Sequence, residues 1–171
     1  MKKHTVLTLA FLFIGLNFSS FAQNIEKKDV AKTENLVFDF SAQRINTYKE
    51  TVEILGSIIN PGEDTVYFLT TSCDGEQYSL VYDTTLFALT PTLFCNFSMP
   101  QIGQIAPKSN FNFMARFHCS SSQSKMKLGF DICLVDKSYT TMRRVELDKI
   151  RIFNRPPENQ HILWAEEKEI K

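Results

Sequence analysis

The sequence predicts an all-β fold, an antiparallel immunoglobulin-like β-sandwich of about seven to nine strands. Three observations predict it: short segments in which apolar and polar residues alternate, turn residues at near-regular spacing between them, and no amphipathic helical pattern.

The chain opens MKKHTVLTLAFLFIGLNFSSFAQ. Lys2 and Lys3 precede an apolar run from Val6 to Leu16, and Ser20 and Ala22 are the small residues that suit signal peptidase cutting before Gln23. Residues 1–22 therefore read as a secretory signal peptide; the run falls short of the about 20 apolar residues of a membrane span, so no stable span is expected after its removal. Residues 23–35, QNIEKKDVAKTEN, are polar and read as a flexible leader. The sandwich is expected over 36–165 and a disordered tail over 166–171.

"LVFDFS" (36–41) alternates, and "YKETVEILGSII" (48–59) carries Val52, Ile54 and Ile58 on one face and Leu55 and Ile59 on the other. "NPGED" (60–64) places Pro61 and Gly62 as a type II turn requires, proline pre-setting φ and glycine taking φ > 0. It predicts a hairpin into "TVYFLTT" (65–71). After an Asp74-Gly75 turn, "QYSLVYD" (77–83) is rich in the aromatic and β-branched residues that strands prefer. "LFALTPTLFCNF" (86–97) reads as two short extended pieces broken by Pro91. "NFNFMARFHC" (110–119) is the best strand: Phe111, Phe113, Ala115, Phe117 and Cys119 face one way, Asn112, Arg116 and His118 the other. A polar loop "SSSQS" (120–124) leads to "KMKLGFDICLV" (125–135), with Leu128, Phe130, Ile132 and Leu134 on one face. "TTMRRVELDKIRIFN" (140–154) sets Val145 and Leu147 in one phase and Ile150 and Ile152 in the other, which predicts a strand with a bulge or kink near Asp148. Residues 161–165, with the only tryptophan, read as a last short strand.

Without residues 1–22 the chain holds 17 Lys/Arg against 19 Asp/Glu, too even a balance to argue for nucleic acid or an anionic membrane surface. The charge is nevertheless segregated. Residues 23–107 hold 5 Lys/Arg and 11 Asp/Glu, and residues 108–155 hold 10 and 4. Interleaving of the two halves in one sandwich, with their charges paired, is the simpler expectation; a basic binding face is the other.

Export gives the four cysteines a meaning, since disulfides persist outside the cytosol. Three connectivities are open. Cys73 and Cys95 lie at ends of strand-like runs beside turn residues, and linking them would close residues 74–94, a loop whose closure is worth about 3 kcal/mol in the chain-entropy model. Cys119 shares the face of Phe111, Phe113 and Phe117 and reads as buried; Cys133 lies opposite the face of Phe130 and reads as exposed or covered by another layer. Intervening gaps of 21, 23 and 13 residues do not suit zinc, which prefers close pairs. His118 adjoins Cys119, but neighbours on a strand point to opposite faces, so the pair is no nucleophile–base dyad.

No nucleophile elbow, phosphate loop, zinc-protease helix or calcium loop occurs in the sequence. Asp74, Glu76 and Asp83 sit at a turn and a strand end, where acids are ordinarily solvated. No catalytic residue, metal or cofactor is expected, and Asn96-Phe97-Ser98 reads as a chance glycosylation sequon. Phe87, Phe94, Phe97, Met99 and Pro100 form an apolar cluster. Core packing explains it most simply; the sharper expectation is a binding edge that receives a peptide or lipid.

The run NPGEDTVYFLTTSCDGEQY (60–78), with CNFSMP (95–100), IAPK (105–108) and KLGFDIC (127–133), resembles uncharacterised exported immunoglobulin-like proteins of Gram-negative bacteria. The strand, N-P turn, strand opening distantly resembles the bacterial intracellular proteinase inhibitor type of sandwich domain over about 40 residues. The first resemblance implies a fold and a compartment, and neither carries a catalytic residue across. The expectation is an exported, periplasmic or extracellular, non-catalytic module that binds or supports another envelope or secreted protein. The alternative is a protease inhibitor or enzyme accessory domain acting through a loop within 84–110.

Overall fold

The computed structural model describes residues 35–45, 48–73, 75–91, 98–153 and 160–171. They form an antiparallel β-sandwich. One sheet orders β1 (Val37–Ile45), β2 (Tyr48–Asn60), β7 (Ser109–Cys119) and β5 (Phe87–Thr90) as β1-β2-β7-β5. The second orders β10 (Gln160–Trp164), β9 (Gly129–Val135), β3 (Val66–Thr71) and β6 (Pro100–Ile105) as β10-β9-β3-β6, with β4 (Leu80–Val81) also on β9. A two-stranded piece pairs β11 (Lys168–Glu169) with β8 (Lys125–Met126).

The expected alternation decides what lies between the sheets. Val52, Ile54 and Ile58 of β2 are fully buried, as are Ala115 and Phe117 of β7, while Leu55 and Met114 pair across the two strands on the solvent side. Phe38 and Phe113 both ring-pack on Phe130 of β9, joining the sheets, and Phe68 meets Phe111 edge to face at 5.3 Å between centroids. Gly103 of β6 is bare because the Phe68 ring lies where its Cβ would be. Charged groups of the acidic and basic halves meet at several places. Arg116 Nη2 reaches Glu53 Oε2 at 2.9 Å, Lys108 reaches Glu63 at 2.8 Å, and His118 lies 3.6 Å from Glu50 on the exposed face.

The turn at 60–64 differs from expectation. It is no hairpin: β2 and β3 belong to different sheets, so the segment carries the chain across the sandwich. No described glycine has a positive φ, so Gly62 is not the left-handed residue of a type II turn. The buried Asn60 side chain builds the crossing instead. Its Oδ1 accepts from the Gly62 amide at 3.0 Å, and its Nδ2 donates to the carbonyls of Asp64, Ile105 and Ala106 at 2.8, 3.1 and 3.1 Å. The last two end β6 and begin the β6–β7 connection, which also crosses between sheets. Lys108, in a left-handed conformation at φ 53°, donates from its backbone to Gly62 and from Nζ to Pro61.

Three further expectations are corrected. The start of 77–83 is a 3₁₀ helix, Gly75–Ser79, and only Leu80–Val81 pairs as strand. Residues 140–154 hold the end of a 3₁₀ helix (Lys137–Thr141) and a helix α1 (Arg144–Phe153) rather than a kinked strand. The apparent phase change from Leu147 to Ile150 is also the three-residue step of a helix face. Glu146 settles the start: its carboxylate accepts from the Arg143 amide at 2.9 Å while the Arg143 carbonyl accepts from Glu146 and Leu147, a reciprocal cap. α1 packs along β6, and Tyr139 of the preceding 3₁₀ helix packs on Leu69, Cys133 and Val135. Cys133 is therefore covered by another layer, and β9 is buried on both faces.

The tail is not disordered. Residues 165–171 run as a strap between β8 and β1: Ala165 donates to Leu128, Ile170 to Ser124 and Lys171 to Ala42, while Arg44 donates to Lys171. Lys168 reaches Asp39 at 2.9 Å, and that hydrogen bond holds the Asp39 carboxyl below the usual carboxylate range. The strap blunts an otherwise open sheet edge.

Candidate functional site

The residues expected to form a binding edge are placed differently from one another. Phe87 is only 4% exposed and packs edge to face on Phe117, so it is core and not a surface anchor. Phe94, Phe97 and Cys95 lie outside the described residues. Met99 is half-buried and tied to the end of β3: its amide donates to Ser72 Oγ at 2.9 Å and its carbonyl accepts from the Ser72 amide at 2.7 Å. The segment 84–110 holds the strands β5 and β6.

Cysteine usage divides the chain in two. Cys119 and Cys133 are buried and form no disulfide, the first with the Arg44 guanidinium 3.8 Å from its sulfur. Cys73 is not one of these two and stands in a left-handed conformation at φ 63°. His118 and Cys119 do face opposite sides of β7, one exposed and one buried. Among the described residues, no group of three or more His, Cys, Asp or Glu is placed to hold a metal, and no helix is long and apolar enough to cross a membrane.

Three segments distant in sequence enclose an open cleft of about 320 Å³. The β4–β5 connection supplies Asp83 and Leu86, with Phe87 in the lining. Its shape is local chemistry: Asp83 Oδ1 accepts from the Thr85 amide at 2.8 Å and the Thr85 hydroxyl at 2.6 Å, and the Asp83 carbonyl accepts from Leu86 and Phe87. Hydrogen bonding from Thr85 holds the Asp83 carboxyl below its ordinary range, so it serves as an acceptor and not as a proton donor near neutrality. The β7–β8 loop supplies Gln123, held in place by Arg44, which donates to the carbonyls of Ser120 and Gln123. From the link between β10 and β11 comes Glu167, 3.6 Å from Lys125.

Trp164, the last residue of β10, is 53% exposed in the lining of this cleft, and Leu86, which also lines it, is 47% exposed. Lys127 places its ammonium 5.4 Å from the centre of the indole ring. Neither Trp164 nor Leu86 stood out in the sequence as a site residue. The available signal was β10 itself, whose residues Ile162 and Trp164 put large apolar groups on the face that Leu163 does not use.

Fold and cleft together define an all-β antiparallel sandwich that presents to solvent a mixed aromatic and polar cleft built from strand ends and the connections beside them. Comparison with known protein families and with characterised proteins finds no match to this chain.

Proposed function

We propose that this protein is an exported, non-catalytic binding or structural module of the cell envelope, immunoglobulin-like in its sandwich, that engages another envelope or secreted component through its surface. The observation that carries this reading is the open cleft with Trp164, at the end of β10, and Leu86, in the β4–β5 connection, both half-exposed, since apolar groups left in solvent beside satisfied polar ones mark contact surfaces. The polar groups there support binding over chemistry: Lys125 is paired with Glu167, and Asp83 is engaged by Thr85. The order β1-β2-β7-β5 opposite β10-β9-β3-β6 supports the immunoglobulin-like assignment.

The test uses cells that make the full chain. Amino-terminal sequencing should find the processed protein beginning at Gln23, and that protein should co-sediment saturably with isolated envelopes. A chain that retains Met1, or that stays in the supernatant at every envelope concentration, overturns the proposal.

The staple between Cys73 and Cys95 belongs to the same reading. It is supported by the hydrogen bonds that hold Ser98 and Met99 against Ser72, next to Cys73. Peptide mapping without reductant should recover the Cys73–Cys95 pair, and Cys73→Ser should cost about 2–5 kcal/mol in unfolding experiments. Four alkylatable thiols in the folded protein would remove the staple.

A further inference from the structure

We propose that the cleft at Trp164 is a subsite for a neutral saccharide, in which a sugar ring stacks on the indole and its hydroxyls bond to the polar groups around it. The proposal rests on the binding-module reading and names its ligand class. It starts from the indole's seat. Trp164 pairs across the ladder with Gly129, and a Cβ at that glycine would come within 3.1 Å of indole atoms Cε3 and Cδ2 and 2.8 Å of Ile162 Cγ2. The ring therefore lies against bare backbone, packed where a side chain would otherwise stand. The ring is half-exposed, and the Lys127 ammonium stands over it 5.4 Å from its centre, so a sugar would stack on the indole beside that ammonium or in its place.

The polar groups then select the ligand. Asp83 and Glu167 accept, Lys125 and Lys127 donate, and Gln123 does both. A hydroxyl is itself donor and acceptor, so such a mixture suits a polyol. Two carboxylates and two ammonium groups cancel, leaving no net charge to attract an anion or a cation over a neutral ligand. The volume of about 320 Å³ is at the small end of ligand sites, consistent with one part of a longer chain being held.

The sequence contains one tryptophan, so the site carries its own reporter. Intact processed protein should be titrated with neutral hexasaccharides of glucose and mannose in different linkages, with an anionic polyuronate for comparison. At least one neutral hexasaccharide should shift the Trp164 emission saturably. Calorimetry should show affinity for it falling about tenfold or more in Trp164→Ala and partly restored in Trp164→Tyr. Gln123→Ala should weaken the emission response while far-UV circular dichroism stays unchanged, which separates lost contact from lost fold. A silent indole across the neutral panel, preference for the polyuronate, or unaltered binding by a folded Trp164→Ala would each overturn the proposal. If envelopes still co-sediment the protein when no saccharide binds, only the ligand class falls; if co-sedimentation also fails, the binding-module reading falls with it.

Discussion

Replacing Phe117 by alanine should destabilise the domain by about 3–5 kcal/mol, the range for removing a buried aromatic ring. Phe117 is wholly inaccessible to solvent in the middle of β7, with Tyr82 edge-on at 4.9 Å and Phe87 at 6.3 Å between ring centroids. Strands on both sides, β2 and β5, hold its backbone, so the surroundings cannot collapse into the space and most of the cavity would persist. Denaturant unfolding read by circular dichroism checks this, with Met114→Ala on the opposite face of the same strand as the control. The control should cost under about 0.5 kcal/mol. Equal costs for the two changes would mean that β7 does not divide into a core face and a solvent face.

Asn60→Leu keeps the size of the side chain and should still cost about 2–4 kcal/mol, because each buried polar group left without a partner costs about 1–3 kcal/mol. Three carbonyls lose the Asn60 Nδ2 donor and the Gly62 amide loses its acceptor, in both chain segments that cross between the sheets. Asn60→Asp gives a second, more specific result. Its carboxylate would face the same carbonyls while buried, which raises its folded pKa above the unfolded value. A group with a raised folded pKa favours the folded state below the unfolded pKa and loses that contribution as pH rises through the folded one. The Asp variant should therefore lie closest to the wild type in acid and fall away towards neutrality, whereas the deficit of the Leu variant relative to wild type should be nearly independent of pH. Parallel pH profiles for the two variants would show that hydrogen bonding by Nδ2 is not what holds the crossings.

Legibility in this sequence follows from what is local. The period-two pattern from Phe111 to Cys119 names the core face of β7 because that strand has one face on the core and one in water, and the same logic places Val52, Ile54 and Ile58. It falters at 140–154, where the step from Leu147 to Ile150 fits a bulged strand and a helix alike, and the reciprocal cap at Arg143 and Glu146 is what selects the helix. The 60–64 segment shows a deeper limit. Pro61 and Gly62 announce a turn, but whether the chain turns within a sheet or between sheets depends on Ile105 and Ala106, more than 40 residues away, whose carbonyls Asn60 meets.

By itself, then, the sequence determined the all-β class, the antiparallel strands and most of the residues between the sheets, because side-chain alternation is written into each strand independently of its neighbours. Only the tertiary structure decided that Phe87 is core while Trp164 is half-exposed, that residues 165–171 strap β8 to β1, and that three remote segments share a cleft. Those outcomes turn on which strands pair and which loops meet, and the free energy of such non-local pairings belongs to no single stretch of the chain.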